Sequence, residues 1–484
     1  MTAATTAEST TAEKSPESSK ERPPETWRDT FEQIVLAFIL ALVFRTFEAE
    51  AFVIPTGSMA PTLYGRNKET TCSQCGHEMV VGASSEVTRD SGYLMEGTRI
   101  EGAICPNCFH PETGMKAARV FNGDRILVNK FPYEIGDPDR WDVFVFKYPE
   151  KPGTNYIKRL VGLPGETIRI RGGDVFRVAE SGSEEMLRKP PEKQRALQIL
   201  VNDHDYAPSG LDQAGWPQRW IGMAARDEGG VRRWSESENG WTHDLAERVV
   251  SIDALSAIEP AWLRYRHVYP LPADWEAIRN GQPGTPVPRL ITDFCGYNAV
   301  WGSSLDDDNA PSRPDGVNLG AYWVSDLTAN AELTIDEVAS GGELLLELCE
   351  GTWWYRCRID LSSGKATLSE VAVHMSLSDE QELATAATSL SGSGRWDISF
   401  ANVDDRICLW IDGDLVDFGE AATRDRTSTA PRRIPQPSDL APVGVAVRGA
   451  KAHVAHLRLE RDIYYRGGGG GFRWEGGRLT DLLA

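Results

Sequence analysis

Hydrophobic and polar positions fall into three regimes along the chain. Residues 1–26 hold no apolar side chain larger than alanine beyond Met1, too little to order a segment, and are expected to form a disordered tail. Next, Trp27 to Phe47 carries an uninterrupted apolar run from Ile34 to Phe44. A bilayer-spanning helix takes about 20 apolar residues, and Arg28 and Arg45 can snorkel to make up the length, so a transmembrane anchor is expected over 27–48. A buried helix is one rival; a cleavable signal is another, because Ala49-Glu50-Ala51 fits a small-x-small site. Lys14, Lys20, Arg22 and Arg28 favour a cytoplasmic tail, whereas Arg45, Arg66 and Lys68 blunt that asymmetry and leave orientation open.

Beyond the anchor the period shortens to that of strands. Arg140 to Tyr148 (RWDVFVFKY) reads as a strand buried on both faces, and Tyr156 to Gly162 as its neighbour. Leu163-Pro164-Gly165-Glu166 suits a type II turn, Thr167 to Arg171 returns, and Gly172-Gly173 starts a further hairpin. From about Arg289, segments such as ELLLELC (343–349), WDISFANV (396–403) and RICLWIDG (406–413) alternate between turn residues, the pattern of a β-sandwich over 289–466. Residues 179–288 are expected to connect the two, and 467–484 to form a Gly-rich tail. The expected class is mainly β: an antiparallel sheet or barrel after one transmembrane helix, with a zinc-ribbon-like insertion and a jelly-roll-like sandwich.

At 484 residues the chain exceeds one ordinary core, which points to two or three domains. A formal charge of -20 without a basic patch excludes nucleic acid as a partner. Eight cysteines are too few for a disulfide scaffold, yet four are grouped.

Candidate chemistry begins at FVIPTGSMAPTL (52–63), where Pro55 and Gly57 put Ser58 on a tight turn. By itself this is a turn serine bonding its own backbone. Lys158, flanked by Ile157 on one side and by Arg159, Leu160 and Val161 on the other, changes the picture: a strand lysine is ordinarily a solvated edge charge, but a desolvated one has a lowered pKa and can serve as a general base. Serine with neutral lysine is a known substitute for Ser-His-Asp. No histidine lies in these segments and no G-x-S-x-G elbow is present, which argues against a Ser-His-Asp triad. Lys130 is assigned to structure.

FVIPTGSMAPTL (52–63), GDRILVNKF (123–131), RWDVFVFK (140–147) and NYIKRLVGLPGE (155–166), in this order after an anchor, resemble bacterial type I signal peptidases. The resemblance implies a catalytic domain over 49–178, with Ser58 as nucleophile and Lys158 as general base. It also implies an oxyanion hole from the Ser58 N–H and the Thr56 hydroxyl, with Asp142 and Arg159 as structural support. Catalysis then needs no cofactor. The implied protein is an endopeptidase in the inner (plasma) membrane, active on the extracytoplasmic side, that cuts signal peptides from exported preproteins beside the lipid bilayer. The family's closing G-D-N and S-x-D-S-R blocks are not found; the nearest echo is DNAPSR (308–313). That departure leaves two alternatives: the chain is truncated or split, with a second chain supplying the block, or the protein is a weak or inactive relic acting as a membrane-anchored glycan- or protein-binding module.

Cys72-x-x-Cys75 and Cys105-x-x-Cys108 are spaced for a structural zinc ribbon, expected as an insertion over 66–119. Two disulfides are the alternative in an oxidising compartment. His77 and His110 are read as bystanders that can replace a thiolate. The segment around Asp404, Asp405 and LWIDGDLV resembles laminin-G and concanavalin-like jelly rolls. Trp353, Trp354 and Trp410 are read as core with a sugar platform as the alternative, and Asp306 to Asp308 as a solvated loop with calcium as the alternative. Cys295, Cys349, Cys357 and Cys408 have no metal spacing and are expected as free thiols or one disulfide.

Overall fold

A computed structural model of the chain describes residues 27–43, 49–88, 93–95, 98–228, 231–303, 311–373, 379–424 and 434–466. The two expected tails and Asp306 to Asp308 lie outside these residues. The chain divides into two compact units, Met1–Phe52 with Leu127–Asp137, and Val53–Ile126 with Pro138–Ala484.

In the first unit the apolar run forms a helix, Trp27–Val43, of 17 residues with none buried. At 1.5 Å per residue it is roughly 25 Å long, against about 30 Å of hydrocarbon in a bilayer. Among the described residues no helix is long and apolar enough to cross a membrane. Residues 44–48 of the expected anchor lie outside the described set. Lys130 pairs with Glu50 at 2.7 Å, a structural role.

After the helix, the described residues are built almost wholly from antiparallel strands. Strands β1 (Ala49–Val53) and β7 (Arg125–Asn129) pair with each other across the sequence. Between them, β2 (Asn67–Thr71) lies between β3 (Glu78–Gly82) and β6 (Arg119–Phe121). A separate sheet sets β4 (Arg99–Ile104) between β5 (Pro111–Thr113) and the distant β19 (Val300–Ser303).

After these, β8 (Val143–Lys147) pairs with β9 (Asn155–Arg159), bringing Phe144 opposite Lys158. The strand expected to be buried on both faces is half-buried from Val143 to Phe146, because β8 and β9 form a two-stranded ribbon that no further strand among the described residues widens. Then β10 (Thr167–Arg171), β11 (Asp174–Val178) and β12 (Glu184–Met186) form a meander. The expected turns are present: Glu166 N–H donates to the Leu163 carbonyl at 3.2 Å with Gly165 at φ +81°, and Gly172 and Gly173 both have positive φ.

The remaining strands make one 14-stranded sheet. Its spine is β20 (Leu327–Glu350), 24 residues long, against β27 (Val443–Arg461), paired from Leu327↔Arg461 to Leu348↔Val443. Register shifts at Asn330/Glu332, Ile335/Glu337 and Val338/Glu343 act as bulges that let so long a pair bend. On one side β20 carries β21 (Trp353–Asp360), β22 (Lys365–Ala372) and β23 (Gln381–Ala387) in sequence. It also pairs with β24 (Gly394–Val403), which leads to β25 (Arg406–Ile411) and β26 (Asp414–Leu415).

Six strands of the same sheet come from the region expected to connect: β13 (Ile199–Asp203), β14 (Trp220–Glu228), β15 (Val231–Glu236), β16 (Thr242–Asp244), β17 (Val249–Asp253) and β18 (Ala261–Tyr265). Of these, β13, β17 and β18 bond directly to β27, so residue 289 is not a break in the sheet. Leu333, Leu344, Leu346, Ile359, Phe400 and Val447 belong to the shared core. Trp354 and Trp410 are buried, 0% and 4% exposed, which removes them as a sugar platform. All eight cysteines are free thiols, and Cys349, Cys357 and Cys408 are buried.

Candidate active site and cysteine cluster

The Ser58 turn is held by backbone bonds at both ends. Ile54 N–H donates to the Asp124 carbonyl at 2.9 Å, Arg66 N–H to Pro55 at 3.3 Å, and Ala60 N–H to Gly57 at 3.0 Å. The Asp124 carboxylate accepts the Tyr64 N–H at 2.6 Å, while Asp124 N–H donates to the Tyr64 carbonyl at 2.9 Å. Tyr297 lies against the turn and stacks on Tyr64 with centroids 5.5 Å apart. A Cβ on Gly57 would fall 2.2 Å from the Tyr297 ring, and one on Gly65 would fall 2.2 Å from the Thr56 backbone, so only glycine fits either position. Thr56 and Ser58 are both exposed on this turn.

Lys158 Nζ is 2.6 Å from Ser58 Oγ and 2.9 Å from the Ile157 carbonyl. Partial burial lowers its pKa from the ordinary lysine value. The side chain is nevertheless exposed: strand alternation turns it away from half-buried Ile157, and the two-stranded ribbon leaves its face open. The desolvation expected from its sequence neighbours is therefore only partly realised. In the ammonium form Lys158 donates to Ser58; as a neutral amine at that distance it can take the hydroxyl proton.

The residues around Lys158 are tied to the adjacent turn. Arg159 Nη1 donates to the Trp141 carbonyl at 2.8 Å, and Leu160 N–H to the Asp142 carbonyl at 2.8 Å. Arg140 Nη2 contacts both Glu166 oxygens at 2.6 and 2.9 Å, and this charge-assisted pair holds the Glu166 carboxyl below its usual range.

The four clustered cysteines converge. Cys72 Sγ lies 3.5 Å from Cys108 Sγ, Cys75 Sγ 3.7 Å from Cys105 Sγ, and all four sulfurs lie within 4.8 Å of one another. Tetrahedral zinc at about 2.3 Å from each sulfur needs separations near 3.8 Å, so the set fits that ion. Two like knuckles present them: Cys72 N–H donates to His77 and Gly76 N–H to Cys72, while Cys105 N–H donates to His110 and Phe109 N–H to Cys105. Gly76 and Phe109 take the same left-handed position, φ +75° and +62°. Hydrogen bonds from Cys105 and Cys108 hold the Cys72 thiol below its ordinary range, whereas burial pushes Cys105 and Cys108 above it.

His110 is engaged, not a bystander: its Nδ1 is 2.8 Å from Glu112, which also accepts Ser73 N–H at 2.7 Å. His77 instead packs edge-on against Tyr206. Met79 and Ile100 pack around the cluster, as do Leu211, Trp216, Val268 and Trp275 from the region expected to connect.

Sequence reasoning brought Ser58, Lys158 and the four cysteines to the fore, but it gave no role to Asp124, Trp141 or Tyr297. The Gly123-Asp124 pair inside GDRILVNKF was the available signal for the first; Tyr297 is too distant in sequence to carry one.

Together these features define a mainly β protein with a serine and a lysine in hydrogen-bond contact on a braced turn and a strand. The family model described as signal peptidase, peptidase S26, matches residues 100–215, a span that includes Lys158. Over that span the chain is similar to this signal peptidase family. It is 46% identical to signal peptidase I of Pseudomonas fluorescens over 82 residues, 14% of this chain and 29% of that protein. With signal peptidase I of Pseudomonas aeruginosa it shares 56% over 59 residues, 10% of this chain and 21% of that protein. With a probable signal peptidase I-2 of a Synechocystis species it shares 25% over 254 residues, 50% of this chain and 88% of that protein. The matched segments thus span less than a third of the length of the two Pseudomonas relatives.

Proposed function

We propose that this chain is a membrane-anchored serine endopeptidase that removes N-terminal signal peptides from exported preproteins, with Ser58 and Lys158 as a dyad. The observation that carries this reading is the 2.6 Å contact between Lys158 Nζ and Ser58 Oγ. Neutral Lys158 takes the hydroxyl proton as Ser58 Oγ attacks the scissile carbonyl carbon. The resulting oxyanion is met by the Ser58 N–H and the Thr56 hydroxyl. Collapse expels the new amine, which receives the proton from Lys158, and leaves an acyl-serine. Lys158 then deprotonates water, which attacks the ester and restores the hydroxyl.

The exposed apolar Trp27–Val43 helix supports a membrane anchor, with the catalytic residues on the extracytoplasmic side of the inner membrane. Cys72, Cys75, Cys105 and Cys108 would hold a zinc ion that is structural, since four thiolates leave no open position for chemistry.

Purified full-length protein in lipid vesicles is expected to cleave a preprotein after a small-x-small site, and an acylating serine probe to label Ser58. Ser58→Ala and Lys158→Ala should each abolish cleavage. Cleavage surviving both substitutions would sink the assignment.

A further inference from the structure

Trp141 is 2% exposed and takes φ +74°, a left-handed conformation that is strained for so large a residue. Such a conformation persists only where its surroundings over-determine it. The Trp141 backbone is also the anchor of the lysine strand's end: its N–H donates to the Leu160 carbonyl at 2.7 Å, and its own carbonyl accepts from Arg159. Lys158 is the next residue along.

The groups that grip the Trp141 ring come from remote parts of the chain. Its indole N–H donates to the Arg188 carbonyl at 3.1 Å. Lys189 Nζ stands 5.1 Å from the indole centroid and 5.8 Å from the Tyr465 ring. The Tyr465 ring lies 6.2 Å from the indole. The Lys189 ammonium is fixed between Asp404 and Asp462, 2.8 Å from each, with all three side chains buried. Tyr465 is seated by its N–H bond to the Gly173 carbonyl at 3.0 Å, and its buried hydroxyl has no hydrogen-bond partner among the described residues. The ring face is therefore what Tyr465 contributes.

We infer that Lys189 and Tyr465 are positioning residues for the proposed dyad: their grip on Trp141 fixes the end of the lysine strand and so keeps the Lys158 amine on Ser58. This inference rests on the Ser58/Lys158 reading. It makes the large sheet, which supplies Asp404 and leads into Asp462 and Tyr465, part of the catalytic support. Without the grip, Trp141 relaxes toward extended backbone, its bonds to Leu160 and Arg159 are lost, and the amine moves off the hydroxyl.

The test uses the full-length protein in lipid vesicles with Tyr465→Phe, Tyr465→Leu and Tyr465→Ala. Each is measured for kcat, KM and thermal midpoint, and for the pH midpoint of Lys158 amine labelling by mass spectrometry in a Ser58→Ala background. Tyr465→Phe should match wild type, because it keeps the ring. Tyr465→Ala should lose about a hundredfold in kcat with KM nearly unchanged, the scale expected of an ångström-sized misplacement, with a raised labelling midpoint. Tyr465→Leu, which keeps apolar bulk for folding, should lose kcat in the same direction. Folded Tyr465→Leu protein with wild-type kcat and an unmoved midpoint overturns the inference, as does loss in Tyr465→Ala that Tyr465→Phe fails to avoid. Cleavage by Ser58→Ala or Lys158→Ala protein would instead overturn the dyad itself, and the labelling midpoint still reports whether Tyr465 positions the amine.

Discussion

Lys158 Nζ meets Ser58 Oγ at 2.6 Å across a sequence separation of 100 residues. The contact joins a braced turn to an open two-stranded ribbon, so the geometry of the pair depends on what holds each partner from behind.

The first prediction concerns pH. Partial burial lowers the Lys158 pKa from the ordinary value of about 10.4, and only the neutral amine can accept the Ser58 proton. Cleavage should therefore fall as pH drops through the lowered pKa and level off above it. Lys158→Arg should be inactive throughout, because arginine stays protonated. A kcat/KM profile against pH checks both; a rate that does not fall toward acid pH counts against lysine as the base.

Gly57→Ala should abolish the proposed cleavage by displacement of the turn. Its Cβ would fall 2.2 Å from the Tyr297 ring, where overpacking typically costs about 1–3 kcal/mol. Adding Tyr297→Ala opens the space and should recover part of the lost kcat. Double-mutant kinetics and denaturant melts measure the coupling; purely additive losses would show that the clash does not govern the turn.

Asp124→Ala removes the acceptor of the Tyr64 N–H and should destabilise the protein by about 1.5–3 kcal/mol, the range for a hydrogen bond to a charged group. Asp124→Asn keeps an acceptor oxygen and should retain more of both stability and kcat. Urea melts of the two variants, read with their turnover, provide the check.

Metal analysis should find zinc bound to the purified protein. Chelation or Cys105→Ser should remove it and lower the thermal midpoint, because metal-binding free energy at a closed site is folding free energy. Protein that stays folded without the metal should keep its pH profile, since the ion has no open position. A metal-free protein with fewer than eight titratable thiols would point to disulfides instead.

The short-range features were legible because local chemistry sets them. The Leu163 to Glu166 turn, the Gly172-Gly173 hairpin and the two Cys-x-x-Cys knuckles are each fixed by residues within a few positions of one another. Burial was less legible: alternation in RWDVFVFKY is the same whether a strand lies inside a layered sheet or in a ribbon, and the partners decide which. The strands of 199–265 were hidden for the same reason, since their place beside β27 is a long-range pairing. Tyr297 and Tyr465 escaped notice because an aromatic side chain that braces a distant backbone has no local signature. His110 differed from expectation through Glu112, two residues on, whose carboxylate ties it to Ser73.

The ion group at Lys189 brings together two points far apart in the chain. The polypeptide leaves the small sheet after Leu187, whose N–H bonds Val175, and comes back at Tyr465, which bonds Gly173. The segment between leaves and rejoins the small sheet two positions apart, and its described residues also return to pair β19 with β4 and to set Tyr297 against the Ser58 turn, so cutting it away would take the brace of the nucleophile with it.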